Sequence, residues 1–184
     1  MALRPLPYPD PALADNRVRL RKWSKSDLEC VRLAGTDPDI PRGTTVPATF
    51  TPAEGVAFIR CQLARAEDRE GVSQAVVDLS SGRAIGLMWV ALRPQYHVGG
   101  LGYWIVPDER GRGAATSAVR LVVPWALDVL DLRRIEAWVE PENLASARVL
   151  RSAGFEQEGR LRNFLSGPGG SSDVLVFSVI SSSR

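Results

Sequence analysis

The sequence predicts a mixed α/β fold, with helices on both faces of a sheet of about seven strands. Three observations carry this. Short apolar runs rich in β-branched and aromatic residues recur along the 184 residues. Capped segments of helical periodicity stand between them. Residues 101–130 read as strand, glycine-rich turn and helix, and another strand follows directly, which makes one parallel crossover.

The elements follow in order. Residues 1–16 hold four prolines and little periodicity, an extended lead-in to a single domain over 17–184. Val18-Arg19-Leu20-Arg21-Lys22-Trp23 alternates apolar and basic, as a half-buried strand does. Ser24 with Asp27 resembles a capping box that starts a short helix ending near Gly35. Residues 40–50 lack a clear period and are read as irregular. Thr51-Pro52-Ala53-Glu54 starts a second helix, with Val56, Ile59 and Leu63 expected inward and an end before Gly71. Residues 72–79 and 84–93 are strands joined by Ser80-Ser81-Gly82-Arg83, and Pro94 breaks the second. A loop through Tyr96 and His97 leads into the strand 101–106 and then the helix that opens near Gly113. Pro124 falls inside that helix, where it removes a hydrogen bond. Residues 134–139 form a strand with Ile135, Ala137 and Val139 on one face. Asn143 caps the next helix and Gly154 closes it. Two strands complete the chain, from Phe155 to about Arg162 and from Val174 to Ile180, joined by a turn at Gly167-Pro168-Gly169-Gly170.

Composition narrows the function classes. Apolar residues make up 45% and charged residues 24%, an ordinary balance for one globular domain. A net charge of +2 is too small to argue for a nucleic-acid partner. No apolar run is long enough to span a bilayer and the start is not a signal peptide, so a cytoplasmic protein is expected. Cys30 and Cys61 both fall in helices and are expected to be buried apolar side chains. With His97 the only histidine, no metal site is expected.

The chemistry concentrates in Arg110-Gly111-Arg112-Gly113-Ala114-Ala115. Glycines allow close backbone approach, and a helix start offers unpaired N–H groups and a positive dipole end. Two readings fit: a basic loop that only turns the chain, or a pyrophosphate site. It is not a Walker loop, because no lysine followed by Ser or Thr comes after a second glycine. It is not a dinucleotide fingerprint either, since Thr116 stands where Gly or Ala is needed.

The arrangement resembles the GNAT superfamily of acetyl-CoA-dependent N-acetyltransferases. Their motif, Gln or Arg, two residues, Gly, one residue, then Gly or Ala, is met by Arg110, Gly113 and Ala115. Gly102-Tyr103-Trp104-Ile105-Val106-Pro107 is similar to the RimJ/RimL-like branch, which acetylates N-termini of ribosomal proteins. The resemblance implies a GNAT fold with a splayed central parallel pair, and acetyl-CoA as co-substrate. It implies cofactor contacts at Trp104, Ile105, Val106, Arg110, Gly111, Arg112, Gly113, Ala114 and Ala115, and at Asn143 and Ser146 for the pantetheine arm and thiol end. A backbone N–H near Ile105 or Val106 would polarise the acetyl carbonyl.

Some relatives use a glutamate where Trp138 stands and a tyrosine where Leu150 stands, and both are missing here. The resemblance to the ribosomal-protein branch implies Ser146 as the group that protonates the departing thiolate; Glu140 is the candidate base, and Glu136, Tyr103, His97 and Asp173 are further possible bases. No Ser or Cys has a base partner that would make it a nucleophile, so the amine attacks directly. The missing base points to an acceptor of low pKa. An α-amino group titrates near 7.7–8.0 and lysine near 10.4, so lysine costs about 3 kcal/mol more to deprotonate. The acceptor is thus a protein N-terminus or a small-molecule amine, with its pocket expected from residues 40–50, 94–99 and 163–172. The alternative is a catalytically silent acyl-CoA-binding module on the same fold. A membrane partner is not expected, and strand-edge pairing would give a homodimer.

Overall fold

The computed structural model describes residues 4–167 and 170–181. Seven strands form one sheet in the order β1-β2-β3-β4-β5-β7-β6: β1 Val18–Arg21, β2 Gly71–Asp78, β3 Ala84–Leu92, β4 Val98–Ile105, β5 Arg134–Val139, β6 Glu156–Gly167 and β7 Gly170–Ile180. Every neighbouring pair is antiparallel except β4 and β5. The helices are α1 Leu28–Ala34, α2 Asp39–Gly43, α3 Pro52–Glu67, α4 Ala114–Val129 and α5 Leu144–Ser152. The β4–α4–β5 crossover is the parallel unit expected from the sequence, and the seven-stranded mixed sheet is the expected architecture.

Adjacent residues of β4 show how the two faces are covered. Trp104 packs among Trp23 and Phe58, at ring separations of 6.2 and 6.5 Å, on the side of α1 and α3. Tyr103 points to the other face and reaches α5, where its hydroxyl donates to the Ser146 carbonyl at 3.2 Å. Successive side chains on a strand point to opposite faces, so α4 and α5 share the Tyr103 face. A polar chain that runs from the core to the surface ties the first face together: Trp23 Nε1 donates to Ser73 Oγ, Ser73 to Gln62 Oε1, and Gln62 Nε2 to the exposed Thr45 Oγ1, at 3.3, 2.9 and 3.0 Å.

The local signals hold. Ser24 and Asp27 form the capping box, Thr51 accepts the Glu54 N–H, Asn143 accepts the Ser146 N–H, and Gly154 follows α5 with φ +90°. Several expectations need correction. Val56 of α3 is exposed; the helix instead buries Gly55, Phe58, Ile59, Gln62 and Ala66. A Cβ on Gly55 would lie 2.7 Å from Leu28 and 2.8 Å from Phe50, so this close approach fixes which face turns inward. Cys61 falls on the outer side of α3 and is exposed, whereas Cys30 is buried. Residues 40–50 contain the end of α2, five residues long and too short to show a period. β4 begins at Val98, and β6 and β7 extend past Arg162 and before Val174 into a longer arm. In the expected turn, Pro168 and Gly169 lie outside the described residues. α4 continues through Pro124 because its buried side, Ala118, Val119, Val122, Val123 and Ala126, packs on the sheet around it. The lead-in is packed down: the Leu6 N–H donates to the Ala66 carbonyl at 2.9 Å and the Leu20 N–H to the Leu13 carbonyl at 2.8 Å.

Candidate active site

The parallel ladder between β4 and β5 is short, pairing only Val98, Gly99 and Gly100 with Arg134, Ile135 and Glu136. Two glycines permit it: a Cβ on Gly99 would lie 2.7 Å from Leu132, and one on Gly100 would lie 2.6 Å from the Arg93 guanidinium. Beyond Gly100, β4 keeps β3, β5 keeps β7, and a gap opens between them.

Which backbone groups face this gap follows from the ladder. The Arg93 N–H donates to Val98 and the Val106 N–H to Ile85 across β3 and β4. Antiparallel hydrogen bonding alternates, so even-numbered residues of β4 bond to β3 and odd-numbered ones face β5. Tyr103 and Ile105 therefore turn their N–H groups to the gap. Trp104 and Val106, expected at the cofactor, do not. Their backbone positions serve β3, the Trp104 ring is buried on the α3 side, and Val106 is buried.

The start of α4 lies at the open end of the gap. Gly111 and Gly113 have φ of +75° and +81°, a region that glycine enters without strain. Gly113 is the N-cap, no side chain caps the helix, and the first intrahelical bond runs from Ser117 N–H to Gly113 C=O. The N–H groups of Ala114, Ala115 and Thr116 are thus the unpaired donors of the first turn. Arg110 and Arg112 are not free charges. Arg110 Nε donates to the Ile105 carbonyl at 2.8 Å and its Nη1 pairs with Asp37 at 2.7 Å, bracing the end of β4 to the α1–α2 loop. Burial alone would raise the Asp37 pKa, but N–H bonds from the chain at Asp39 and the Arg110 pair hold it below the ordinary value. Arg112 pairs with Glu109 at 2.7 Å. Arg17, which reads in the sequence as part of a basic strand edge, reaches this loop, and its Nη1 donates to the Arg112 carbonyl at 2.5 Å. No local signal links residues 95 positions apart.

On the far side of the gap, Asn143 Oδ1 holds the Ser146 N–H at 3.0 Å and Ser146 is half-buried. Tyr103 spans from β4 to the Ser146 carbonyl, and burial pushes its hydroxyl up to about 12. Trp138 carries the Arg93 guanidinium over its ring at 3.9 Å and meets Phe164 edge-on at 4.7 Å. The further bases separate clearly. His97 sits at the opposite end of β4, with Nδ1 2.5 Å from the Asp131 carbonyl, and residues 94–99 lie there with it, away from the gap. Glu136 takes Arg134 at 2.7 Å, and Asp173 takes Arg160 at 2.6 Å. Glu140 has only longer contacts, to Arg42 at 3.2 Å and Ser172 at 3.4 Å. Among the described residues, no group of three or more His, Cys, Asp or Glu is gathered to hold a metal ion, and no helix is long and apolar enough to cross a membrane.

A parallel pair that opens beside an uncapped, glycine-lined helix start is a frame for a long, phosphate-bearing acyl carrier. Residues 17–156 match the family model described as an acetyltransferase (GNAT) domain, and the chain belongs to that family. It is an N-acetyltransferase that uses acetyl-CoA. It is 28% identical over 173 residues to the uncharacterized N-acetyltransferase p20 of Bacillus licheniformis, covering 91% of this chain and 95% of that one. It is 26% identical over 171 residues to the uncharacterized N-acetyltransferase YoaA of Bacillus subtilis (strain 168), covering 92% and 97%. In fold it is similar to Mycobacterium smegmatis RimJ, solved in complex with CoA-disulfide, at a TM-score of 0.78 and 23% identity over 89% of this chain and 82% of that one. The residues present fit acetyl-CoA: three unpaired N–H groups at the start of α4 suit the pyrophosphate, and the open edge of β4 suits the pantetheine amides.

Proposed function

We propose that the chain moves the acetyl group of acetyl-CoA to a primary amine of low basicity, foremost the α-amine of a protein N-terminus, by direct attack. The carrying observation is the gap that opens after Gly100 and Glu136, with the Tyr103 and Ile105 N–H groups turned into it. The backbone over residues 111–115 holds the pyrophosphate, and Arg110 braces that loop from below. The Tyr103 N–H and the Asn143 side chain hold the pantetheine arm. The Ile105 N–H stabilises the charge that develops on the acetyl oxygen as the amine adds. Ser146 protonates the departing thiolate, and Glu140 takes the proton of the amine through water.

The acceptor class rests on the carboxylates. Glu136 and Asp173 are each tied to an arginine at 2.7 Å or less, and Glu140 is paired with Arg42 at a longer 3.2 Å, which favours Glu140 as the base. A weak base suffices for an α-amine, which is already partly neutral near pH 7.5, while a lysine costs about 3 kcal/mol more. This reading takes residues 17–184 as one catalytic domain in the cytoplasm, with a homodimer formed through the exposed edge strand β6.

Release of the CoA thiol, followed over a panel of peptides with free or acetyl-blocked N-termini and over small amines, tests the reading. Turnover of free N-termini is expected to exceed that of blocked, lysine-containing peptides by roughly a hundredfold near neutral pH. Equal turnover of the two would sink the α-amine preference.

A further inference from the structure

The cations around the start of α4 are not equivalent. Arg110 is neutralised by Asp37 and Arg112 by Glu109, both at 2.7 Å. No carboxylate among the described residues forms an ion pair with the guanidinium of Arg17. Its neighbour Asp15 turns Oδ1 to the backbone N–H groups of Arg17 and Val18, both at 2.8 Å, and feels the Arg17 charge only at longer range than an ion pair. The Arg17 carbonyl in turn accepts the Leu79 N–H at 3.0 Å. The main chain of Arg17 is therefore fixed on both sides, and its side chain is laid across the loop. Nη1 holds the Arg112 carbonyl at 2.5 Å, and a Cβ on Gly113 would lie 3.5 Å from Nε. Among the described residues Nε and Nη2 make no hydrogen bond, and beside them opens a cavity of about 310 Å³ lined by Asn16, Ser80, Arg112 and Ala114 and also by the carboxylates Asp78 and Glu109, which are held by the Ser80 and Ser81 hydroxyls and by Arg112.

We infer that Arg17 is the arginine that contacts the pyrophosphate of acetyl-CoA at the start of α4. Phosphate oxygens there meet partial positive charge from the unpaired N–H groups, and Arg17 adds a full charge with donors in a fixed plane. Arg110 and Arg112, whose charges are answered by carboxylates, shape the loop instead. This assignment rests on the acetyl-CoA site described above and adds a residue to it from the opposite end of the sequence.

The test is calorimetric titration of the full chain, wild type, Arg17→Ala and Arg17→Lys, with CoA and with 3′-dephospho-CoA, which keeps the pyrophosphate and lacks the third phosphate. Arg17→Ala should weaken both ligands alike, by roughly tenfold or more, the size of one charge-assisted hydrogen bond. Arg17→Lys should recover part of that loss, and the unliganded melting temperature should move by less than about 4 °C, the equivalent of a single lost hydrogen bond. Unchanged affinity in Arg17→Ala overturns the assignment. So does a loss confined to CoA, which would put Arg17 on the 3′-phosphate, or a larger fall in melting temperature with no recovery in Arg17→Lys, which would make its role structural. Failure of the wild-type chain to bind either ligand removes the cofactor site itself, a result distinct from all of these.

Discussion

Replacing Arg110 with methionine separates bracing from ligand binding, because the structure gives its guanidinium two protein partners. The Asp37 side chain is 10% exposed, so Arg110→Met leaves a nearly buried carboxylate with backbone N–H donors but no counter-ion. Breaking a fully buried pair costs about 3–5 kcal/mol; with the Arg110 side chain 47% exposed, solvent already screens this one, and about 2 kcal/mol is the better figure. The Ile105 carbonyl loses its donor as well, for up to about 1 kcal/mol, since water can replace it at the gap. At about 2–4 °C per kcal/mol in a chain of this size, the unliganded protein should melt roughly 5–10 °C lower. Thermal unfolding without ligand, paired with CoA titration, reads both roles. The depressed carboxyl of Asp37 sets the pH dependence. A folded pKa below the unfolded value near 3.9 contributes stability that is present above that value and lost as pH falls through the folded one. Wild type and Arg110→Met should therefore converge in acid. Unchanged melting together with a tenfold loss of CoA affinity would refute the brace and make Arg110 a phosphate ligand.

Two further perturbations probe the frame. Asp27 is 3% exposed, receives Arg21 at 2.7 and 2.8 Å and accepts the Ser24 N–H at 2.9 Å, so Asp27→Ala should cost about 3 kcal/mol in urea unfolding; a loss under about 1 kcal/mol would mean the buried pair contributes little to holding β1 against α1. Asp78 is held near 2 by the Ser80 and Ser81 hydroxyls at the β2–β3 turn, so Asp78→Ala should lose about 1 kcal/mol at pH 7 after allowance for solvent; that pH-dependent part should disappear as pH falls from about 4 through 2, and a constant difference across the range would rule out the carboxylate as its source.

The parts of the fold that were legible in the sequence are those decided within a few residues. Thr51 and Asn143 each bond an N–H three positions on, and the alternation of Val18 and Leu20 with arginines places two fully buried side chains on one face. Where distant segments decide, the sequence was silent or misleading. Gly99 and Gly100 read as loop by propensity, yet they are the strand residues that admit β5, because Leu132 and Arg93 fill the space a side chain would take. Apolarity pointed Val56 inward, but α3 is rotated by the contact of Gly55 with Leu28 and Phe50, and polar Gln62 takes an inner place because Ser73 and Thr45 satisfy it.

The site divides the same way. The glycine spacing of the loop is a local backbone requirement, and the positive φ values of Gly111 and Gly113 meet it. Charge is different, because a side chain's sign is written in the sequence while its neutralisation is not. Arg110 and Arg112 read as the free cations of the loop until Asp37, 73 positions away from Arg110, and Glu109 answer them. Arg17 reads as one of several arginines on a solvated edge until the fold lays it across Arg112. The acceptor side goes further in this direction. Arg42 and Glu140 are 98 positions apart, and Ser172 reaches the same carboxylate from the β6–β7 arm, so no short motif records their meeting. On the reading proposed above, the setting of Glu140 is fixed by three separate segments, and a substitution in α2 or in the arm would change it without touching the β4 edge or the start of α4.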